Sequence, residues 1–239
     1  MGAQVTLVDA WGPGNSRSSS GGETRAIRGL YGQNRIYAQW VARALELWRE
    51  NQDRWETLLY QKTGMLWMFV TDDDAYARES LPMAKELGLK VDRLERREAE
   101  KRFPQIRFEG VQKLYFEHEA GYLKARHACQ TVCDQFQLEG GRFLRMAAKP
   151  GSIRSESLDE LKLADGDLLS ADQYVFACGP WLGRLFPGVI GTSIRPTRQE
   201  VYYFGTPPGD SSFEVGNLPV WLNFDKRLQY GCTTAAILM

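Results

Sequence analysis

Histidine is almost missing from this chain: His118 and His127 are the only two in 239 residues. Zinc sites are built from several histidine and cysteine ligands at short spacings. Two histidines and four cysteines without such spacing provide no metal site. So few cysteines also exclude a disulfide framework and fit a reducing compartment. Cys129 and Cys133 lie four apart, one above the other on a helix, and read as small buried hydrophobes. Net charge is missing too, with 30 Lys plus Arg against 30 Asp plus Glu. That excludes an electrostatic nucleic-acid or membrane-surface binder. No apolar run approaches the roughly 20 residues of a membrane helix, and no leader with a basic start and an apolar middle is present. A cytoplasmic protein with no membrane partner is expected. There is no internal repeat. The aspartates Asp72, Asp73 and Asp74 lack the spacing of a calcium loop. Finally, no Gly-x-Gly-x-x-Gly follows an apolar strand, so the turn that cradles a pyrophosphate at a helix N-terminus is not encoded.

What is present is organised around residues 5–32. Apolar residues make up 43% of the chain, enough for a substantial core. Val5-Thr6-Leu7-Val8 is a short apolar run closed by Asp9, and it reads as a buried parallel strand. An acid at the carboxyl end of such a strand is where dinucleotide-binding folds hold a ribose hydroxyl. From Gly12 to Gly22 the chain is rich in glycine and serine, including Ser18, Ser19 and Ser20. Its backbone N–H groups and small hydroxyls suit close approach to a pyrophosphate or a flat ring. Glu23-Thr24-Arg25-Ala26-Ile27-Arg28 follows. Arg25 and Arg28, three apart, fall on one side of a helical turn and together suit an anionic substrate. The same residues also read as a surface ion-pair cluster of little energetic weight.

Downstream, helical spacing of apolar residues runs from Ile36 to about Leu59, with its tryptophans expected in the core. Met65–Val70 is a buried strand. Thr71–Asp74 is a cap-rich turn that starts a helix running to Leu87, with Gly88 as its C′ residue. Val91–Leu94 and Lys113–Glu117 read as strands, and Glu95–Phe103 as a helix stopped by Pro104. A helix over 125–138 ends at Gly140-Gly141. Arg142–Met146 is the next strand. Asp165-Gly166-Asp167 marks a hairpin. Tyr174–Ala177 reads as a buried strand leading to Cys178-Gly179-Pro180-Trp181, with Trp181 either core or beside a cofactor. Val201–Phe204, the segment around Val220 and Leu228–Gly231 read as further strands.

The string Gly22-Glu23-Thr24-Arg25-x-x-Arg28, behind an acid-ended strand, resembles the flavin-dependent amine oxidases of the D-amino-acid oxidase superfamily. The likeness is greatest to the branch of monomeric sarcosine oxidase and N-methyltryptophan oxidase. Gly179-Pro180-Trp181 and Arg195-Pro196-Thr197-Arg198-Gln199 resemble further motifs of that family. The resemblance covers about Gly2 to Gly231. It omits the first βα unit and a C-terminal part that carries a lysine near the flavin. It implies an α/β fold in two parts. One is a Rossmann-like FAD-binding parallel sheet lacking its first βα unit, in residues 1–62 and 122–193. The other is a mixed-sheet α+β substrate domain in residues 63–121 and 194–239. The parallel sheet would use Val5–Asp9, Arg142–Met146 and Tyr174–Ala177. The mixed sheet would use Met65–Val70, Lys113–Glu117 and Val201–Phe204.

By the same resemblance the cofactor is FAD. Asp9, Ser19, Ser20, Thr24, Arg25, Lys149, Gly179 and Trp181 would contact it, most of them lining one cleft. Arg25 would serve catalysis with Glu23 orienting it, and Arg28 would bind the substrate carboxylate. The reaction implied moves a hydride from the carbon next to nitrogen to flavin N5 and leaves an imine. The sarcosine-oxidising members carry two histidines where Ser20 and Gly21 stand here, which points to another amine or amino acid as substrate. The alternative is a catalytically inactive fragment, or one half of a split flavoprotein that needs a complementing chain. A nicotinamide-linked dehydrogenase is a third and weaker choice, since it too needs the missing glycine turn.

Overall fold

The structure, a computed structural model, describes residues 2–154, 157–197, 201–224 and 229–231. In chain order the first elements are β1 (Thr6–Asp9), β2 (Arg25–Ile27), α1 (Arg35–Arg54), β3 (Tyr60–Gln61), β4 (Met65–Phe69), α2 (Ala75–Glu86) and β5 (Val91–Arg93). Next come α3 (Arg96–Arg102), β6 (Lys113–Glu117), β7 (Gly121–Leu123), α4 (Ala125–Leu138), β8 (Arg142–Arg145) and β9 (Ala148–Pro150). The last are β10 (Ile153–Arg154), β11 (Ser157–Leu158), β12 (Leu161–Leu163), β13 (Leu168–Leu169), α5 (Leu182–Leu185), β14 (Val220–Phe224) and β15 (Gln229–Gly231). They build two compact units: Met1–Gly22 with Arg126–Phe204, and Glu23–Ala125 with Gly205–Met239. Residues 23–62 therefore pack with the second unit. Strand pairing supplies the reason, because β2 and β3 both hydrogen-bond to β7.

In the first unit β1 and β8 pair in parallel, Thr6 opposite Arg142 and Asp9 opposite Arg145. The parallel strand expected over Val5–Asp9 shares a sheet with Arg142–Arg145 as expected, but it is not buried: Val5 and Leu7 are 51% and 45% exposed. Tyr174–Ala177, expected in the same sheet, is not a strand, and Val175 is 90% exposed. The resemblance puts another strand between it and β1. Without that neighbour no ladder holds the segment extended. A separate antiparallel sheet, ordered β13-β12-β9, contains the expected hairpin at Asp165-Gly166-Asp167, with Gly166 at φ +97.

The second unit carries a five-stranded mixed sheet in the order β15-β14-β4-β6-β5. Central β4, Met-Leu-Trp-Met-Phe, is buried at every residue because both faces of the sheet are covered. One face meets α1 and α2 through Leu45, Ala77 and Ala84 in a cluster with Trp67 and Phe69. The other meets α3 through Ala99 and Phe103 in a cluster with Leu66 and Met68. Met65–Phe69 and Lys113–Glu117 share one mixed sheet as expected, and pair with each other antiparallel. The place foreseen for Val201–Phe204 is not filled by it; β14 pairs with β4 in parallel instead. Val201–Phe204 is irregular and Phe204 is 87% exposed. Its β-branched and aromatic composition suits a strand, but composition alone does not choose which apolar segment a sheet takes up.

Helix α2 ends as its sequence suggests. Gly88 takes φ +71, and Leu89 N–H reaches back to Ala84 O at 2.8 Å, the long bond of a Schellman turn. At the other end Asp74 is the N-cap by position but makes no side-chain capping bond. Its Oδ2 accepts the Tyr115 hydroxyl at 2.6 Å instead. In α1, Trp48 packs on the core but Trp40 is 62% exposed. Trp40 therefore corrects the expectation that these tryptophans are buried.

Candidate functional site

The residues singled out by the sequence fall in both units. Asp9, Ser19, Ser20, Lys149, Gly179 and Trp181 lie in the first, and Glu23, Thr24, Arg25 and Arg28 in the second.

In the first unit the end of β1 is tied down by its own aspartate. Asp9 Oδ1 accepts the N–H groups of Trp11 at 2.8 Å and Gly12 at 2.6 Å. Among the described residues Oδ2 accepts no hydrogen bond. The loop that follows folds on itself: Ser18 N–H and Oγ both donate to Asn15 O, and Ser20 Oγ lies 3.1 Å from Ser18 Oγ. It docks on the first turn of α4. Arg126 Nη2 donates to Gly21 O at 3.2 Å. A Cβ on Gly14, whose φ is +63, would stand 2.9 Å from Arg126 O. Only glycine tolerates both that conformation and that approach. Trp181 closes on the same turn, its ring 5.0 Å from that of Trp11. Asp9 and Trp181 thus both touch Trp11. Lys149 is exposed in β9, opposite Lys162. Cys178 feels burial first and the Asp9 charge second, and both raise its thiol pKa.

In the second unit Arg25 and Arg28 are not on a helical turn. Arg25–Ile27 is a strand that pairs antiparallel with β7, Arg25 opposite Leu123 and Ile27 opposite Gly121. Side chains alternate along a strand, so spacing by three does not put the two arginines on one face there. Arg25 Nη1 donates to Thr24 O at 2.9 Å, and Glu23 O accepts the Ala125 N–H at 2.9 Å. Arg28 lies beyond the strand and is half-buried. Its Nη1 donates to Leu30 O and, at 3.4 Å, to the Tyr76 hydroxyl. Its guanidinium carbon lies 4.2 Å from the Tyr31 ring centroid and 5.3 Å from that of Trp67. Nη2 and Nε donate to no described residue. An aromatic-walled guanidinium with one edge engaged and another open suits a bidentate carboxylate.

Sequence reasoning missed the group behind that arginine. Glu117, at the end of β6, is fully buried. It accepts the Gly29 N–H on Oε1 and the Trp67 indole N–H, at 3.3 Å, on Oε2. Burial pushes its carboxyl from an ordinary 4.5 to about 7, against the lowering effects of the Gly29 bond, the Arg28 charge and the Trp67 bond. The available signal was a lone acid closing an apolar strand, the same pattern that marked Asp9. Because the folded value is raised, the folded state holds this proton more tightly than the unfolded chain does. The associated stability is full below about 4.5 and is lost as pH rises through about 7. Urea midpoints measured across that window are expected to fall with pH in the wild type, and the Glu117 share of the fall should vanish in Glu117→Gln.

FAD can be tested against these residues. An acid-ended parallel strand whose carboxylate keeps one oxygen available fits a ribose hydroxyl. The small-residue loop and Trp181 fit the approach of a flat ring. No glycine turn of the pyrophosphate-binding kind accompanies them. Among the described residues no group of His, Cys, Asp and Glu could hold a metal ion, and no helix is long and apolar enough to cross a membrane.

An acid-ended parallel strand, a glycine and serine loop seated on a helix, and a separate mixed sheet together define a dinucleotide-binding α/β protein. The chain matches the DAO family model, FAD dependent oxidoreductase, over residues 1–235, and belongs to that family. It is 29% identical over 232 residues to monomeric sarcosine oxidase of Bacillus sp. (strain B-0618), covering 97% of this chain and 59% of that protein. It is 26% identical over 218 residues to N-methyl-L-tryptophan oxidase of Escherichia coli, covering 90% and 56%. The fold is similar to that of L-proline dehydrogenase from P. horikoshii, with a TM-score of 0.71 at 16% identity over 92% of this chain and 58% of that one. The chain thus spans somewhat more than half the length of these relatives. The resemblance of Arg195-Pro196-Thr197-Arg198-Gln199 to a family motif falls partly outside the described residues.

Proposed function

We propose that this chain serves an FAD-dependent oxidation of the carbon–nitrogen bond of a carboxylate-bearing amine or amino acid, giving an imine. The observation that carries the reading is Arg28, a half-buried guanidinium walled by Tyr31 and Trp67 with Nη2 and Nε open to a ligand. The relatives' names point the same way, since each acts on an amine that bears a carboxylate. FAD, when bound, supplies the hydride acceptor. Asp9 would hold its ribose. Ser19, Ser20, Thr24, Gly179 and Trp181 would meet the ring system, and backbone at Lys149 the adenine. Glu23 would orient Arg25, and Arg25 would stand near the reacting amine. Arg28 would bind the carboxylate. Without histidine at Ser20 and Gly21, an amine other than sarcosine is the proposed substrate.

The test is Arg28→Gln in a preparation that turns over an N-methyl amino acid. A hydrogen bond to a charged group contributes about 1.5–3 kcal/mol, so KM should rise about tenfold to 150-fold with kcat nearly unchanged. The matching amide substrate should show no such rise. An unaltered KM for the carboxylate would reject the anchor.

A second reading makes this chain inactive until a complementing polypeptide supplies the glycine turn. It is supported by β1, whose second edge pairs with no described strand and where Val5 and Leu7 are 51% and 45% exposed. Activity that appears only on adding such a polypeptide would favour it.

A further inference from the structure

Arg28 and Glu117 share a small set of parts. The Glu117 carboxylate accepts the Gly29 N–H and the Trp67 indole N–H. The Arg28 guanidinium donates to Leu30 O and lies against the Trp67 ring. Gly29 fits between them only because it lacks a side chain. A Cβ there would stand 2.3 Å from Leu89 Cδ1 and 3.1 Å from Glu117 Oε1. The carboxylate therefore grips the turn that carries the arginine, and its charge acts on that arginine through protein with little intervening water.

We propose that Glu117 is a positioning residue that also gates Arg28: an anion bound at Arg28 is taken up together with one proton onto the Glu117 carboxylate. This rests on the reading of Arg28 as a carboxylate anchor. The reason is electrostatic. Ionised Glu117 cancels part of the guanidinium charge. A second carboxylate arriving on the open edge puts two like charges around one cation, and in a poorly hydrated site protonation of the buried one relieves them. No bond to carbon is made or broken; the proton comes from solvent and returns when the anion leaves. Because Glu117 titrates at about 7, the exchange costs little near neutrality.

Other groups around Glu117 do not compete for this role. From β4 it meets Trp67 and Met65, and from β5 Val91, none of them ionisable. The Asp92 carboxylate turns to His118 at 2.6 Å and to Lys90 at 3.6 Å. Tyr60 of β3 senses Glu117 but titrates at about 12. Tyr76 of α2 holds its hydroxyl on Arg28.

Acetate is the probe, and the full chain the sample. The side-chain carboxyl carbon of Glu117 is followed by NMR against pH, with and without acetate, and acetate affinity is measured by calorimetry in buffers of different ionisation heat. The Glu117 midpoint should move up with acetate. Between the free and the acetate-bound midpoints affinity should fall by up to tenfold per pH unit, with up to one proton taken up per acetate, and outside that window neither should change. Arg28→Gln should abolish binding, and Glu117→Gln should bind acetate with no pH step. Acetate held through Arg28 with no proton uptake, and with the same pH profile in Glu117→Gln, overturns the gate and leaves the anchor standing. Acetate that does not bind, or binds equally to Arg28→Gln, overturns both. Should Glu117→Gln not fold, the wild-type titration and proton count decide by themselves.

Discussion

The 239-residue chain, purified alone, is expected to emerge without a flavin absorbance band, and added FAD should wash off on gel filtration. A dinucleotide is held chiefly by backbone N–H groups at a helix N-terminus facing its pyrophosphate. The dipole part of such a contact is worth several tenths to about 2 kcal/mol, and each charge-assisted hydrogen bond about 1.5–3 kcal/mol more. The glycine turn that would direct those groups is not encoded in this sequence. What remains on the first unit is the Asp9 carboxylate, the serine loop on α4 and the Trp11–Trp181 pair. By the proposed reading those contacts would serve the ribose and a ring face and would leave the pyrophosphate without donors. The open edge of β1, with Val5 and Leu7 exposed, is expected to make this preparation prone to self-association. Co-expression with a segment encoding a strand, Gly-x-Gly-x-x-Gly and a helix should raise both solubility and flavin content. A yellow, monomeric product with stoichiometric FAD from this chain by itself would refute the expectation.

Trp67→Ala should be the most damaging single change in the second unit. Trp67 is fully buried in central β4. Its ring stacks on Tyr76 at 6.0 Å and Phe224 at 5.9 Å, and its N–H is bonded to Glu117. Truncating a buried tryptophan to alanine costs about 3–5 kcal/mol, and orphaning a buried acceptor adds about 1–3 kcal/mol. Against the roughly 5–15 kcal/mol that holds a typical domain together, that removes most or all of the margin. Trp67→Phe keeps much of the packing and loses the N–H, so it should cost a few kcal/mol at most. Urea unfolding followed by tryptophan fluorescence and near-UV circular dichroism separates the two. Equal midpoints for Trp67→Phe and wild type would show that the indole bond to Glu117 carries no net stability.

Some of the molecule was legible in its residues, and the successes share a cause. Periodicity and punctuation are local. Gly88 and Gly140 end helices because each takes a positive φ that other residues resist, and Asp165-Gly166-Asp167 turns a hairpin for the same reason. Asp9 stood out because an acid interrupting an apolar run has few structural uses. The misreadings also share a cause. Tyr174–Ala177 and Val201–Phe204 have the composition of strands, but a strand exists only where a neighbour offers a ladder. Arg25 and Arg28 have the spacing of a helical turn, but β7 recruits Arg25–Ile27 into a sheet.

The sequence by itself determined the family, the helices with their stops and the membership of β1 and β8 in one parallel sheet. These depend on side-chain chemistry and spacing within a few tens of residues, which the linear order preserves. Tertiary structure alone decided which apolar segment pairs with β4, and that Glu23–Gln61 joins the mixed-sheet unit. It alone placed Glu117, 88 residues away, against the Gly29 N–H. That contact could not be read along the chain, because burial and proximity between distant residues arise only when a sheet brings them together.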